Sequence, residues 1–176
     1  MTTPKKSSRS DEILVKLIKR NDPDAFKELY YKYYKQLYRY AYFRLYTVET
    51  TRDVLQDLFS RVWNNRKSLN PNKSIKSYLY RSLTNIIINH SRLESSKNVL
   101  YSKLDEEISG REEELDQQID IQSAISELPE KLKSVYLLSR VEGYKYKEIS
   151  EILQISVKAV EKRMSKALIL LRKRFG

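Results

Sequence analysis

The 176-residue chain has no cysteine and a single histidine, His90, which excludes disulfides, thiolate metal sites, a cysteine nucleophile and a histidine metal cluster. Three glycines and four prolines among abundant Leu, Ile, Lys, Glu and Arg predict an all-α fold, and the length suits two small helical domains. The net charge of +11 is uneven: residues 1–96 carry 19 Lys and Arg against 9 Asp and Glu, residues 97–120 carry 3 against 8, and residues 121–176 carry 12 against 6. Two basic blocks flanking an acidic hinge suit a polyanionic partner.

Residues 1–10 form a basic polar tail with no apolar core, and the longest aliphatic runs, Ile86 to Ile88 and Ala167 to Leu171, are too short to cross a bilayer. A cytoplasmic chain without membrane insertion is expected. Asp11 and Glu12 open a short amphipathic helix through Ile13, Leu14, Leu17 and Ile18, ending near Asn21. Asp22-Pro23 then reads as an N-cap with proline at the first helical position, followed by Phe26, Leu29, Tyr30, Tyr33, Leu37, Tyr40 and Ala41 at helical spacing. Eight of the fourteen tyrosines lie between Tyr30 and Tyr46, too many for one buried face, so some are expected at the surface.

A third helix carries Val54, Leu55, Leu58, Phe59, Val62 and Trp63 in a regular apolar stripe, opposite Asp53, Gln56, Asp57, Ser60 and Arg61. Residues 68–74 have loop chemistry, and Ser74 is placed to cap a fourth helix running to about Leu93. Leu79, Leu83, Ile86, Ile87 and His90 make its inward face; Arg81, Asn85, Asn89 and Arg92 repeat along another face. Residues 97–118 are polar, contain Gly110 and two acidic clusters, and read as a linker.

The second helical domain, residues 119–176, opens near Ile119, restarts at Pro129 and stops at Gly143. Its last part has the organisation of a helix-turn-helix: Ile149, Ile152 and Leu153 inward on a short helix, a tight turn at Gln154-Ile155, and Ser156 capping a long helix. On that helix Val157, Val160, Met164, Ala167, Leu168 and Leu171 take one side, while Lys158, Glu161, Lys162, Ser165, Lys166 and Lys173 fall mostly on the other. A helix of this kind fits the major groove, its outer face toward base edges and its cations toward phosphates.

Taken together, the segments Asp53 to Trp63, Tyr78 to Asn85, Leu128-Pro129 and Tyr146 to Val157 resemble the extracytoplasmic-function (ECF) sigma factors of the sigma-70 type. The resemblance covers nearly all of residues 11–175 and implies sigma region 2, a linker and sigma region 4, a promoter-directing role with core RNA polymerase (β′ and β subunits) and promoter DNA as partners, an anti-sigma factor, no catalysis and no cofactor or metal. It implies docking on the polymerase β′ coiled coil through Asp53, Gln56, Asp57 and Arg61. The minus-ten element would be read and melted by the 68–74 loop with Arg81, Asn85, Asn89 and Arg92, since amides and guanidiniums suit trapped bases. The minus-thirty-five element would be read by the helix capped by Ser156, with Lys158 on its outer face, base contacts at Glu161, Lys162 and Ser165, and phosphate contacts at Arg163 and Lys166. Two departures stand out: Gln154 where many relatives have glycine in the turn, and Glu161 where many carry a basic or small residue. The alternative is a stand-alone helix-turn-helix regulator, which needs neither the Asp53 to Trp63 motif nor the fourth helix.

Overall fold

The computed structural model describes residues 9–101 and 123–175, with side chains from Arg9 to His90 and from Ser123 to Arg174. Helices α1 (Asp11–Lys19), α2 (Pro23–Leu45), α3 (Val48–Asn64) and α4 (Ile75–Tyr101) form the N-terminal module, with a short 3-10 turn at Arg66–Ser68. The C-terminal module comprises helical residues 123–127 (α5), α6 (Glu130–Arg140), α7 (Tyr146–Leu153) and α8 (Val157–Phe175). No strand occurs among the described residues.

The helix boundaries follow local chemistry. Ser10 caps α1 through Ile13 N–H; Asp22 caps α2 through the N–H groups of Asp24 and Ala25, with Pro23 as its first residue. Three exits are left-handed at non-glycine residues, Asn21, Tyr46 and Gln154, and Gly143 with φ 74° ends the turn after α6, where such a backbone favours glycine. Ser74 Oγ accepts from Ser77 N–H at 3.1 Å and starts α4 where expected. That helix continues to Tyr101, past the predicted end at Leu93 and into residues assigned to the linker. Residues 94–101 contain neither proline nor glycine, so nothing in them breaks the hydrogen-bond ladder. The remainder of the predicted linker, 102–118, and the start of the second domain at Ile119 lie outside the described residues.

The core is one contiguous cluster. Leu14 and Ile18 of α1, Leu29, Leu37 and Tyr40 of α2, Leu55 and Leu58 of α3, and Leu79 and Leu83 of α4 are fully buried, as are Leu137 and Leu138 of α6. Each such side chain contributes about 1.5–3 kcal/mol on burial. The expected α3 stripe is inward from Val54 to Val62, and Trp63 is half-buried at its end. Tyr80, not expected inside, is buried at the junction of the modules, its ring edge-on to those of Tyr40 and Tyr144.

Candidate nucleic-acid and polymerase interfaces

Three helices present a polar stripe opposite an apolar one. On α3 the apolar stripe packs on α2 and α4, leaving Asp53, Gln56 and Arg61 exposed and Asp57 partly so. Arg61 Nε donates to Asp57 Oδ1 at 2.7 Å, so two of these residues form a pair of their own one turn apart. Beside this face runs a groove of about 740 Å³ between α2 and α3, lined by Phe26, Tyr30, Tyr34, Gln56, Phe59 and Trp63 among others. The rings of Tyr30, Tyr34, Tyr38 and Tyr42 follow one another along α2, with centroids 4.9, 6.0 and 6.2 Å apart. Tyr33 and Tyr40 are instead buried, and burial together with the hydrogen bond it gives to Asp11 pushes the Tyr33 hydroxyl far up from its ordinary pKa. The tyrosine-rich segment is thus divided between core, groove wall and open surface, where Tyr31 lies. This groove was not foreseen as a unit, although the excess of tyrosines over core positions was its sequence trace.

The second stripe lies on α4. Arg81, Asn85 and Asn89 are all exposed, at intervals of four residues, and the side chain of Arg92 lies outside the described residues. The 68–74 loop ahead of them is pinned by Lys19 Nζ, which donates to the Leu69 carbonyl at 2.6 Å, and by Asn70, whose Oδ1 accepts from Asn72 N–H at 2.9 Å. A cavity of about 230 Å³ opens between this loop and the start of α4; Asn70, Tyr78, Arg81 and, from the other module, Gln154 are among its walls.

The third stripe is the outer face of α8. Ser156 Oγ accepts from Ala159 N–H at 3.1 Å, capping the helix as predicted. Lys158, Glu161, Lys162, Ser165 and Lys166 are exposed and Arg163 half-buried, while Val160, Met164 and Ala167 face the core. The turn between α7 and α8 bends at Gln154, which is left-handed at φ 53° and ψ 50°. The conformation is the one glycine would adopt freely; with glutamine it costs roughly 1 kcal/mol.

The modules meet through α2 and α4 on one side and α6 and α7 on the other. Arg39 of α2 grips Glu142 through two 2.8 Å hydrogen bonds, and the Glu142 side chain is only 1% exposed. Arg44, with 1% of its side chain exposed, pairs with Glu130, and Tyr144 donates to Gln36 Oε1 at 2.7 Å. Lys133 donates to the same Glu130 at 3.1 Å and to the Ser126 carbonyl at 2.7 Å; burial, with Arg44 nearby, lowers its pKa to about 8. From α4, Ser77 Oγ donates to the Glu151 carbonyl at 2.9 Å and Arg81 Nη1 to Gln154 Oε1 at 2.6 Å. None of these inter-module pairings has a local sequence signature.

Two helical modules, the second built around a capped helix-turn-helix, define a two-part DNA-binding protein, and the comparisons specify which. Residues 29–96 match the family described as Sigma-70 region 2 and residues 118–171 that described as Sigma-70, region 4. The chain is 30% identical over 178 residues to the ECF RNA polymerase sigma factor SigW of Bacillus subtilis, covering 90% of this chain and 93% of that one. With SigM of Mycobacterium tuberculosis, also an ECF RNA polymerase sigma factor, it shares 24% identity over 96% of this chain and 86% of the relative. The chain belongs to the ECF sigma factor family, whose members are initiation factors and not catalysts. Among solved structures, CnrH in complex with the cytosolic domain of CnrY has the same fold, with a TM-score of 0.68 at 22% identity over 93% of this chain and 95% of that one. RpoE of Bartonella quintana, in complex with the anti-sigma factor NepR, gives 0.62 at 20% identity over 85% and 96%. No helix among the described residues is long and apolar enough to cross a membrane.

Proposed function

We propose that this chain binds core RNA polymerase through the polar face of α3, reads and melts a minus-ten element with the 68–74 loop and α4, and reads a minus-thirty-five element with α8. The observation that carries the reading is that Asp53, Gln56, Asp57 and Arg61 lie solvent-facing beside an aromatic groove, opposite an apolar stripe that is inward from Val54 to Val62. A mixed-charge stripe joined to an apolar groove fits a partner helix, its anchor residues entering the groove while its charges pair with the rim. A stand-alone helix-turn-helix regulator has no use for such a face.

On α4, Arg81, Asn85, Asn89 and Arg92 supply bidentate amides and stacking or phosphate-binding guanidiniums for bases held out of the duplex, the cavity behind the loop being a receptacle for one of them. On α8, Ser156 and Lys158 lead the helix into the groove, Glu161, Lys162 and Ser165 face base edges, and Arg163 and Lys166 meet phosphates. Glu161 favours a cytosine amino group, so the promoter element read is expected to contain C at that position. An anti-sigma factor is the natural further partner, since both structural neighbours are bound to a second protein.

The test uses the Asp57–Arg61 pair. Exchanging the two residues, Asp57→Arg with Arg61→Asp, keeps an i,i+4 pair within α3 and so preserves the helix, but inverts the charges offered to a partner. Pull-down of core polymerase and run-off transcription with core lacking any other sigma factor should both fall at least about tenfold, equivalent to about 1.4 kcal/mol. Unchanged retention of core by the exchanged variant refutes the docking face. Absence of any specific transcript with the unaltered chain favours the regulator.

A further inference from the structure

From Leu58 to Leu93 the chain carries seven Lys and Arg and no Asp or Glu. Part of that charge lies on α4. Another part is gathered ahead of it, where the end of α1 packs on the 3-10 turn that leads into the 68–74 loop. Arg66 organises the meeting: its Nε donates to Asn21 Oδ1 and its Nη1 to the Trp63 carbonyl, both at 2.7 Å, with the guanidinium 4.4 Å from the centre of the Trp63 ring. On this scaffold Arg20, Lys67 and Lys73 are exposed, and no hydrogen bond or ion pair among the described residues engages their side chains. The amides of Asn64, Asn65, Asn70 and Asn72 are exposed between them in the chain. Asp22, the carboxylate next to Asn21, is taken up in capping α2. An ordinary solvated surface mixes both signs of charge. Cations held together on a fixed scaffold without acids repel one another, and a polyanion relieves that repulsion.

We infer that the end of α1, the 3-10 turn and the 68–74 loop form a backbone track for single-stranded DNA, which continues the α4 site along the same strand. Arg20, Lys67 and Lys73 meet phosphates; Arg66 is a positioning residue that holds α1 and the turn in register. Continuity comes from the cavity behind the loop, where Asn70 and Lys73 share the walls with Tyr78 and Arg81, the first residue of the α4 stripe. A strand with one base in that cavity passes from the α4 stripe directly onto the track. The form of the surface selects a single strand over a duplex. Its cations come from three separate elements, so none offers the single helix face that a major groove admits. The amides between them suit base edges that are unpaired and open. The inference rests on the proposed role of α4 for the identity of the strand, but not for the affinity of the track for phosphates.

The probes are fluorescein-labelled oligothymidylates of about 6 and about 12 nucleotides, lengths within the span of single-strand sites, titrated with the full chain at low salt and read by anisotropy. A strand long enough to bind α4 and the track together gains from both, so the longer probe should bind at least about tenfold tighter than the shorter. Arg20→Ala with Lys67→Ala and Lys73→Ala should reduce that ratio to about threefold or less. The same variant should lower the slope of log affinity against log salt on the longer probe by about 2, at about 0.7 for each of three phosphates. Lys35→Ala with Lys131→Ala and Arg140→Ala removes equal charge from exposed positions on α2 and α6 and should leave the ratio within about twofold. Arg66→Lys keeps its charge but cannot hold Asn21 and the Trp63 carbonyl together, and should lower the ratio part of the way. An unchanged ratio in the first variant overturns the track, and so does an equal loss in the charge-matched variant. Weakened binding in Asn85→Ala with Asn89→Ala, while the first variant is inert, keeps the α4 reading and removes the track. The opposite pattern keeps the track and refutes the α4 reading. Absence of binding by the unaltered chain overturns both.

Discussion

On α4 the reading stripe begins at Arg81, whose guanidinium is already engaged by Gln154, whereas the outer face of α8 from Lys158 to Lys166 joins the N-terminal module through no hydrogen bond or ion pair among the described residues. Both helices follow one plan, an apolar stripe inward and a polar stripe outward, with a serine cap at the start. The difference is positional. The α4 stripe starts where the second module packs, while the α8 stripe lies on the far side of its own module. Of the first stripe only Arg81 is engaged across the boundary; Asn85 and Asn89 beyond it are exposed, as is the outer face of α8. Duplex reading by α8 should therefore be insensitive to the contact at the module boundary, and base capture by α4 should feel it through Arg81 alone.

The plan itself can be broken most sharply by separating its two stripes. Leu83 of α4 and Met164 of α8 are buried, so Leu83→Ala and Met164→Ala should each cost about 2–5 kcal/mol in urea unfolding. Asn85→Ala and Ser165→Ala, on the opposite faces, should change stability by less than about 0.5 kcal/mol and yet reduce promoter-dependent transcription. A large stability loss from either of the latter means that its face is packed and not offered to a ligand.

Within α8 the comparison becomes one of roles. Lys162→Ala should cost about 1–3 kcal/mol on the preferred duplex and relax base preference at one position. Lys166→Ala should weaken binding to all duplexes alike and reduce the slope of log affinity against log salt by about one. Titrations at several salt concentrations on two unrelated duplexes distinguish them, and identical behaviour of the two variants refutes the division into base and phosphate contacts.

The stripes were legible in the sequence because burial imposes its period directly on the residues: Val54 to Val62 on α3 and Val160, Met164 and Ala167 on α8 are inward as their spacing requires. Asp22, Ser74, Gly143 and Ser156 were legible because a cap or a left-handed exit is decided within four residues. The inter-module contacts were not. Arg39 and Glu142 are 103 positions apart and Arg44 and Glu130 are 86 apart, and a lone arginine or glutamate looks the same whether it meets solvent or a distant partner. Lys133 shows how far this goes, since a lysine next to other charges reads as surface but is buried beside Glu130. The aromatic groove falls between these cases: the count of tyrosines required some at the surface, but only the packing of α2 on α3 gathers Tyr30, Tyr34, Phe59 and Trp63 around one space.

The finest test concerns Gln154, where the local and the long-range arguments meet in one residue. Its left-handed backbone is strained by roughly 1 kcal/mol relative to glycine, while its side chain holds Arg81 across the module boundary. Gln154→Gly relieves the first and removes the second, so the net change in unfolding free energy should be small, between zero and about 1 kcal/mol of stabilisation. A double-mutant cycle with Arg81→Ala separates the contributions. In the unaltered chain Arg81→Ala should cost about 0.5 kcal/mol; in the Gln154→Gly background it should cost nothing, because the acceptor is gone. Equal cost in both backgrounds places the value of Arg81 inside its own module. The start of α4 would then be as independent of the second module as the outer face of α8 is of the first.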